Sequence, residues 1–580
     1  MRFTKYLLTL ALGLTVAGPL WSDNHGRPNI LLMLTDDQGW GDVGFHGNPD
    51  LKTPNLDRLA TESTELTQFT ACPNCSPTRA GLMTGRYNYR TGVTEVFSGN
   101  HMMYADEVTI AEVLQDAGYR TGIFGKWHLG SNYPMRPTDQ GFQEALVHKA
   151  GGIGQAAGPP DNKYFDPVLE HNDVTKRYEG YCDDIFADAT IEFIEEESDE
   201  PFFAYLATPL PHFPLVVGDE WADPYREMGL HEHNALTFGM IAAIDYNVGR
   251  VLEALKVNGL EENTIVIFMS DNGPRTRRTK NDMYPGRYVA GLRGTKTSVY
   301  DNGIRVPFLI RWPGRFEAGK QIDTIAGHID IFPTLLDACG VSVPSALSID
   351  GVSLMPLLEG RANNWPERNL YFQWHGGPIP FQYVHFAVRS QKYKLVQGQD
   401  DPHGFMTPPS ESELKNILNG LELYDIQKDP SEINDLSSEY PEIVDKMLAE
   451  YEDWFDDVTS ERDFHFQERT ILGTPHQKTA ILSHFDNRGW RAVGSGGHWD
   501  VATKEDGEYE MRLRFGKRSS SGVAHIRYAG EHYTQPIRKG AEEYTFKKVR
   551  LPAHEGRLEV FIKNGRHREE VSFVDITRVD

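Results

Sequence analysis

Short apolar runs punctuate the chain: Asn29–Thr35 (NILLMLT), Thr121–Gly125 (TGIFG), Phe202–Thr208 (FFAYLAT), Thr264–Ser270 (TIVIFMS) and Val306–Arg311 (VPFLIR). Continuous runs of this length predict strands buried on both faces. Between them the apolar spacing changes to that of helices. Leu56, Leu59 and Ala60 follow Thr53-Pro54, which predicts a helix with Thr53 as N-cap and Pro54 at its first position. Thr109–Ala117 predicts a second helix, stopped by Gly118, and Leu236–Val257 a long amphipathic one. Strands alternating with helices in this way predict an α/β fold, a mostly parallel sheet flanked by helices on both faces.

The pattern shifts after residue 380. Phe386–Gln397 alternates like an antiparallel pair, Glu422–Asp425 (ELYD) is a further short strand, and Ile443–Phe455 is an amphipathic helix. From about Gly473 the chain becomes short strands and turns, among them Tyr509–Phe515, Val523–Ala529 and Leu558–Ile562, which predicts a β-sandwich. The organisation expected is an α/β domain over 27–380, a small antiparallel α+β subdomain over 381–460 and an appended β-sandwich over 470–580. Ahead of them, Arg2 and Lys5 lead into apolar Tyr6–Leu20, shorter than the ~20 residues of a bilayer span. That predicts a secretory signal peptide over 1–22, no membrane span, and a secreted or periplasmic protein.

The 580 residues carry 58 Lys and Arg against 83 Asp and Glu, a formal net charge of -25. That balance argues against a nucleic-acid partner, which needs a basic surface. It leaves room for a small anion, because a site's local field can oppose the global one. Ligands of open α/β sheets bind beyond the carboxyl ends of the strands, and four predicted strand exits carry chemistry. Asp36-Asp37 leaves the first, Lys126-Trp127-His128 the second, Pro211-His212-Phe213-Pro214 the third and Asp271-Asn272-Gly273 the fourth. Asp36, Asp37, Asp271 and Asn272 are oxygen donors that together suit a hard cation such as calcium, whereas zinc would want His or Cys. Either motif alone also reads as turn or cap residues. Adjacent like charges at the end of a buried strand are costly, however, without a compensating cation. Lys126, His128, His212 and Lys296 form a cationic, proton-handling set.

Two of the four cysteines, Cys72 and Cys75, make a C-x-x-C. A zinc ribbon needs a second such pair, and a thioredoxin-like site lacks its setting here. Pro77 suits the first turn of a helix-like run through Ala80–Thr84, which puts Cys75 at a helix N-terminus. Orphan N–H groups and the helix dipole favour an anionic nucleophile there, and Arg79, one turn on, would brace it. Arg275, Arg277, Arg278 and Lys280 form a basic run after the Asp271 motif. It reads either as a solvated loop or as a reader of further negative charge on a substrate.

The stretch Cys75-Ser76-Pro77-Thr78-Arg79-Ala80-Gly81-Leu82-Met83-Thr84-Gly85 resembles the C-x-P-S-R-x-x-L-x-T-G signature of type-I, formylglycine-dependent sulfatases of the alkaline phosphatase-like superfamily, with Thr78 in place of the usual Ser. Asn29–Gly44, Gly118–Gly130, Ser270–Gly273 and Glu422–Asp435 resemble other motifs of that family, and the resemblance runs from about Asn29 to about residue 455. Asp301-Asn302-Gly303 departs from the Glu-Gly-Gly common there and reads as a turn variant. The resemblance implies an alkaline phosphatase-like fold and a sulfuric ester hydrolase. It implies that a separate maturation enzyme oxidises Cys75 to formylglycine, whose hydrated aldehyde is the nucleophile. It further implies that Asp36, Asp37, Asp271 and Asn272, with the converted Cys75, hold calcium. Arg79 would brace the nucleophile, Lys126 and Lys296 would neutralise sulfate and the leaving oxygen, His212 would be the general acid, and His128 would orient the hydrate or take its proton. The expected substrate is a sulfated carbohydrate, bound by Lys126, His212 and Lys296 and, further out, by Arg277 and Arg278. Two alternatives stand beside this reading: a formylglycine-dependent phosphodiesterase or phosphonate monoester hydrolase, and a glycan-binding protein whose Cys75 is never converted.

Overall fold

The structure, a computed structural model, describes residues 26–580 apart from 156–157, 160, 280–281, 284–285, 363–364, 399–407 and 490–496, and leaves the side chains of 277–279 and 282–283 undescribed. The signal peptide expected over 1–22 lies outside the described residues. Among the described residues, no helix is long and apolar enough to cross a membrane.

A ten-stranded sheet organises the chain from Asn29 to Ile322. Its order is Lys320–Ile322, Thr64–Leu66, Phe308–Arg311, Thr264–Ser270, Asn29–Thr35, Phe202–Ala207, Arg120–Lys126, Glu144–His148, Val168–His171 and Val174–Arg177. The five strands from Thr264–Ser270 to Glu144–His148 are parallel. Phe308–Arg311 joins that block antiparallel, as does Val168–His171 on the other side. The continuous apolar runs arise because both faces are covered. Ile30, Leu32 and Leu34 enter one core with Ile265, Ile267 and Met269, while Leu31 and Met33 enter the other with Val266 and Phe268. The long helix Glu232–Val257 covers the second face through Met240, Ile244, Val248 and Val251.

Beyond the sheet, Leu370–Gln373, Phe386–Arg389, Tyr393–Val396 and Glu422–Asp425 form a four-stranded antiparallel sheet. Helix Pro441–Thr459 packs Met447, Tyr451, Trp454 and Phe455 into the same core. A buried ion cluster ties this unit to the α/β core. Lys394 Nζ lies 2.7 Å from both Asp301 Oδ1 and Glu432 Oε1, and the Asp301 N–H donates to Glu432 Oε2 at 2.7 Å. Asp301-Asn302-Gly303 is therefore more than a turn variant. It begins the one-turn helix Asp301–Ile304, and a Cβ on Gly303 would fall 1.9 Å from the Ser298 carbonyl oxygen.

The tail forms two antiparallel-rich sheets around one apolar core that includes Trp499, Met511, Ile526, Val549 and Val560. It is stitched to the α/β core by backbone and side chain. Ile471 N donates to the Tyr133 carbonyl at 3.1 Å, Gly99 N to the Phe485 carbonyl at 3.1 Å, and Asn132 Nδ2 to the Ile481 carbonyl at 2.9 Å.

Candidate active site

The carboxyl ends of all five parallel strands converge on one spot. Asp36 and Asp37 follow the first strand, Lys126 ends Arg120–Lys126, Asp271 and Asn272 follow Thr264–Ser270, and His212 lies in the loop after Phe202–Ala207. Asp36, Lys126, Asp271 and Asn272 have no exposed surface, and Asp37 has 4%. Each acid meets a cation. Lys126 Nζ donates to Asp36 Oδ2 at 2.6 Å, Lys296 Nζ to Asp37 Oδ1 at 2.5 Å, and Arg79 Nη2 and Nε to Asp271 Oδ2 at 2.8 and 3.1 Å. Asn272 Nδ2 donates to Asp37 Oδ1 at 2.8 Å, which leaves its oxygen free.

Cys75 opens the helix Cys75–Thr84, capped by Asn74, whose Oδ1 accepts from the Cys75 N–H at 3.1 Å. All ten residues of this helix are buried, and Cys75 Sγ is 4.0 Å from Lys296 Nζ. Burial pushes the Cys75 thiol up, against the pull of Lys126 and Lys296, so it stays protonated at neutral pH. Its neighbour Cys72 is a buried free thiol pushed up to about 12 by burial, with His328 Nε2 3.6 Å away. Arg79 also donates from Nη1 to the Lys126 carbonyl at 2.9 Å, locking two strand exits together.

Donor chemistry here fits a hard cation. Ligand atoms of Asp36, Cys75 and Asp271 lie within 4.8 Å of one another, as do those of Asp36, Asp37 and His212. Asp36 Oδ1 and Asn272 Oδ1 are buried without a hydrogen-bond partner. Orphaned buried oxygens are expensive, and a cation of the calcium type takes such oxygens as ligands.

The histidines are held differently. His128, at φ 62°, donates from Nε2 to the Val96 carbonyl at 2.9 Å and leaves Nδ1 without a partner. His212 donates from Nδ1 to the Phe213 carbonyl at 2.6 Å, and its Nε2 is 3.9 Å from Asp37 Oδ2. Burial first, then the Lys296 charge, pushes His212 down to about 3, so it is neutral at rest. Burial and Lys126 likewise hold His128 well below the usual histidine range.

Asp36, Asp37, Cys75, Arg79, Lys126, His128, His212, Asp271, Asn272 and Lys296 thus share one cluster. Arg277 and Arg278 lie on a short strand, Arg277–Thr279, but their side chains are outside the described atoms. Arg275 of the same run stacks its guanidinium 4.8 Å over the Phe213 ring, next to His212.

Two further histidines enter the site that no sequence motif marks. His148 ends the strand Glu144–His148, paired in register with Lys126, and is 4% exposed with both ring nitrogens unpartnered. The strand-exit rule would have found it had EALVH been read as a strand. His101 is fully buried with its ring 5.3 Å from that of His128 and 5.0 Å from Phe485, and its Nε2 is 3.4 Å from Asp486 Oδ1. Phe485 and Asp486 belong to the tail, which therefore reaches the shell around His128.

A sulfatase family profile matches residues 28–341 of this chain, more than half its length. The chain belongs to the sulfatase family. As a sulfatase it hydrolyses sulfate esters and is a sulfuric ester hydrolase of the alkaline phosphatase-like superfamily. A second profile, N-sulphoglucosamine sulphohydrolase, C-terminal, matches residues 295–455. Arylsulfatase A of Homo sapiens is 34% identical over 461 residues, covering 73% of this chain and 85% of its own. N-acetylgalactosamine-6-sulfatase of Canis lupus familiaris is 32% identical over 481 residues, covering 76% and 88%. Among solved structures, Ps i-CgsB in complex with a neocarrahexaose matches with TM-score 0.65 and 28% identity, over 76% of this sulfatase and 95% of that chain. A structure in complex with D-glucosamine-2-N,6-O-disulfate matches with TM-score 0.58 and 22% identity, over 76% and 100%, and shares the fold.

Proposed function

We propose that this sulfatase is exported and removes sulfate from a carbohydrate, with formylglycine at position 75 and a calcium ion held by Asp36, Asp37, Asp271, Asn272 and the converted residue 75. The observation that carries the reading is the convergence of Asp36, Cys75 and Asp271 ligand atoms within 4.8 Å at the start of a buried helix. Carbohydrate as substrate is supported by the sulfated-sugar names of the relatives and by the neocarrahexaose bound to Ps i-CgsB. Export rests on the N-terminal pattern of Arg2, Lys5 and apolar Tyr6–Leu20.

When bound, calcium would supply positive charge for sulfate oxygens and the nucleophile. Formylglycine would supply a hydrated aldehyde as nucleophile where the protonated thiol is a poor one. The chain's own residues do the rest. Arg79, fixed by Asp271 and the Lys126 carbonyl, holds the metal-binding strand exits in register. Lys126 and Lys296 bring ammonium charge to position 75 and neutralise charge on sulfate and on the leaving oxygen. His128 has its Nε2 proton committed to Val96, so its free Nδ1 is the atom that accepts a proton. His212 serves the leaving alcohol from Nε2, where it must gain a proton before giving one. Arg277 and Arg278 read a further negative charge on the substrate.

Peptide mass spectrometry across Cys75 in protein from its native host, paired with assays on aryl sulfate, aryl phosphate and sulfated oligosaccharides, tests this reading. Conversion of Cys75 with preference for sulfate supports it. An intact thiol points to a glycan-binding protein, and preference for phosphate points to a phosphodiesterase. Equal loss of aryl sulfate and polyanionic oligosaccharide turnover in an Arg277→Ala, Arg278→Ala variant would remove those two residues from the binding site.

A further inference from the structure

His128 owes its tautomer to a loop. Its Nε2 donates to the Val96 carbonyl at 2.9 Å, and that bond leaves Nδ1 as the acceptor. Val96 lies in a segment, residues 94–100, that contains no helix or strand. The segment closes on itself, because the Asn100 carbonyl accepts from the N–H groups of Thr94 and Glu95 at 3.0 and 3.2 Å. Glu95 Oε1 takes the Val96 N–H at 2.8 Å. These local bonds give the loop a shape but not a place, and a loop without outside support is the mobile part of a fold.

The tail fastens this loop from outside. Gln467 Nε2 donates to Asn100 Oδ1 at 2.5 Å and to the Ser98 carbonyl at 3.4 Å. The Gly99 N–H donates to the Phe485 carbonyl at 3.1 Å. Gly99 has φ 74°, and a Cβ there would fall 2.2 Å from Gln467 Oε1 and 2.8 Å from the Asp486 carbonyl oxygen, so loop and tail meet backbone to backbone. Phe485 packs against Phe97 of the loop and Ala150 of the core, and its ring is 5.8 Å from that of His128. Asp486 backs the same ring at one remove. Its Oδ2 accepts from Ser483 Oγ at 2.8 Å, and its Oδ1 lies 3.4 Å from Nε2 of His101, whose ring is 5.3 Å from that of His128. Gln467, Phe485 and Asp486 are all buried, and all lie beyond residue 455, where the second family profile ends.

We propose that Gln467 and Phe485 are positioning residues for His128. By holding the loop whose Val96 carbonyl takes the Nε2 proton, they keep Nδ1 as the proton acceptor, and the tail is a working part of the catalytic centre. The inference rests on the proton-accepting role proposed above for His128. The test uses the full-length matured protein, with turnover of 4-methylumbelliferyl sulfate normalised to the converted fraction of Cys75 measured by peptide mass spectrometry. Gln467→Ala, Phe485→Leu and His128→Ala are compared with wild type and with the two double variants that contain His128→Ala. Each single tail variant should lower kcat about tenfold and change KM by less than about twofold. In the His128→Ala background the same replacements should cost about twofold or less, because the residue they serve is gone. Gln467→Ala removes only polar contacts of one side chain, so it decides the matter should Phe485→Leu fail to fold. A kcat within about twofold of wild type in the folded single variants, or a loss beyond about twofold in the His128→Ala background, overturns the positioning and leaves the role of His128 standing. Full turnover in His128→Ala overturns that role, and the positioning with it.

Discussion

The Lys394 cluster and the strand-exit cluster both bury charge, and they differ in what their charges leave over. In the Lys394 cluster, one ammonium bonds Asp301 and Glu432, drawn from three separate segments, with Arg389 and Arg305 beside Asp301. Two acids face three cations, and the cluster fastens one unit to another. In the strand-exit cluster, Asp36, Asp37 and Asp271 each have one cation, in Lys126, Lys296 and Arg79, so the formal charges cancel. What is left over there is geometry. Asp301 of the Lys394 cluster also keeps an unpartnered oxygen, but those of Asp36 and Asn272 lie beside a helix-opening cysteine, and both groups of three or more metal-ligating side chains found among the described residues lie here. A neutral cluster that gains a divalent cation becomes positive, which is the polarity a sulfate ester needs. Buried charge alone therefore says little about function; surplus donors aimed at a nucleophile say more.

The comparison can be broken most sharply at Cys75. In matured protein, Cys75→Ala should lower aryl sulfate turnover by about 10⁴-fold or more while thermal unfolding shifts by only a few degrees. Near-normal turnover would remove the nucleophile from the cluster. Lys394→Met should do the reverse. It strands two buried acids and should cost about 3–5 kcal/mol in denaturant unfolding, with turnover per folded molecule close to wild type. A loss well under 1 kcal/mol would mean that Asp301 and Glu432 are already compensated by the arginines.

A calcium titration then separates the clusters. At calcium one hundred times its Kd, wild type should gain about 2.7 kcal/mol of stability, as should Lys394→Met, whereas Asp36→Asn and Asp271→Asn should gain little. Equal gains in all four proteins would put the ion elsewhere. The smallest effect is a pH dependence of that gain. Burial and the neighbouring Asp36 raise the Asp271 carboxyl to about 6, against Arg79 and Lys126. Below that value the cation must displace a proton, so the calcium gain should shrink as pH falls from about 7 to about 5, by up to ~1.4 kcal/mol per pH unit for one proton. A gain that is flat across this range would show that Asp271 is ionised throughout.

The strand-exit cluster is legible in the sequence where Asp36, Asp37, Lys126, Asp271 and Asn272 sit at or just past the end of a strand that reads locally. The apolar run predicts the strand, and the sheet rule predicts that its exit faces the ligand. The Lys394 cluster is not legible. Lys394, Asp301 and Glu432 lie on a strand, a one-turn helix and a loop, and their meeting depends on how two sheets dock. Pairings inside the strand-exit cluster escape for a related reason: Lys126 bonds Asp36 across strand order, and no local pattern fixes that order. Even a correct helix start can hide its chemistry. Thr53 precedes Pro54 as expected, but its hydroxyl donates to Asp57 and accepts from the Gly44 N–H instead of capping the helix. His101 and Phe485 are contacts across almost four hundred residues of chain, beyond any motif.

The burial of the Cys75–Thr84 helix also dictates an order of events. Cys75 is 1% exposed, and every residue after it through Thr84 is covered by the core. A protein catalyst needs several residues of extended chain to grip a side chain and act on it, and the finished molecule offers none at this point. The conversion proposed for Cys75 would therefore have to act on the unfolded chain, in competition with folding. Under that proposal a copy that folded first would keep its thiol, and the fraction of working enzyme would be set by a race that ends before the protein takes its final shape.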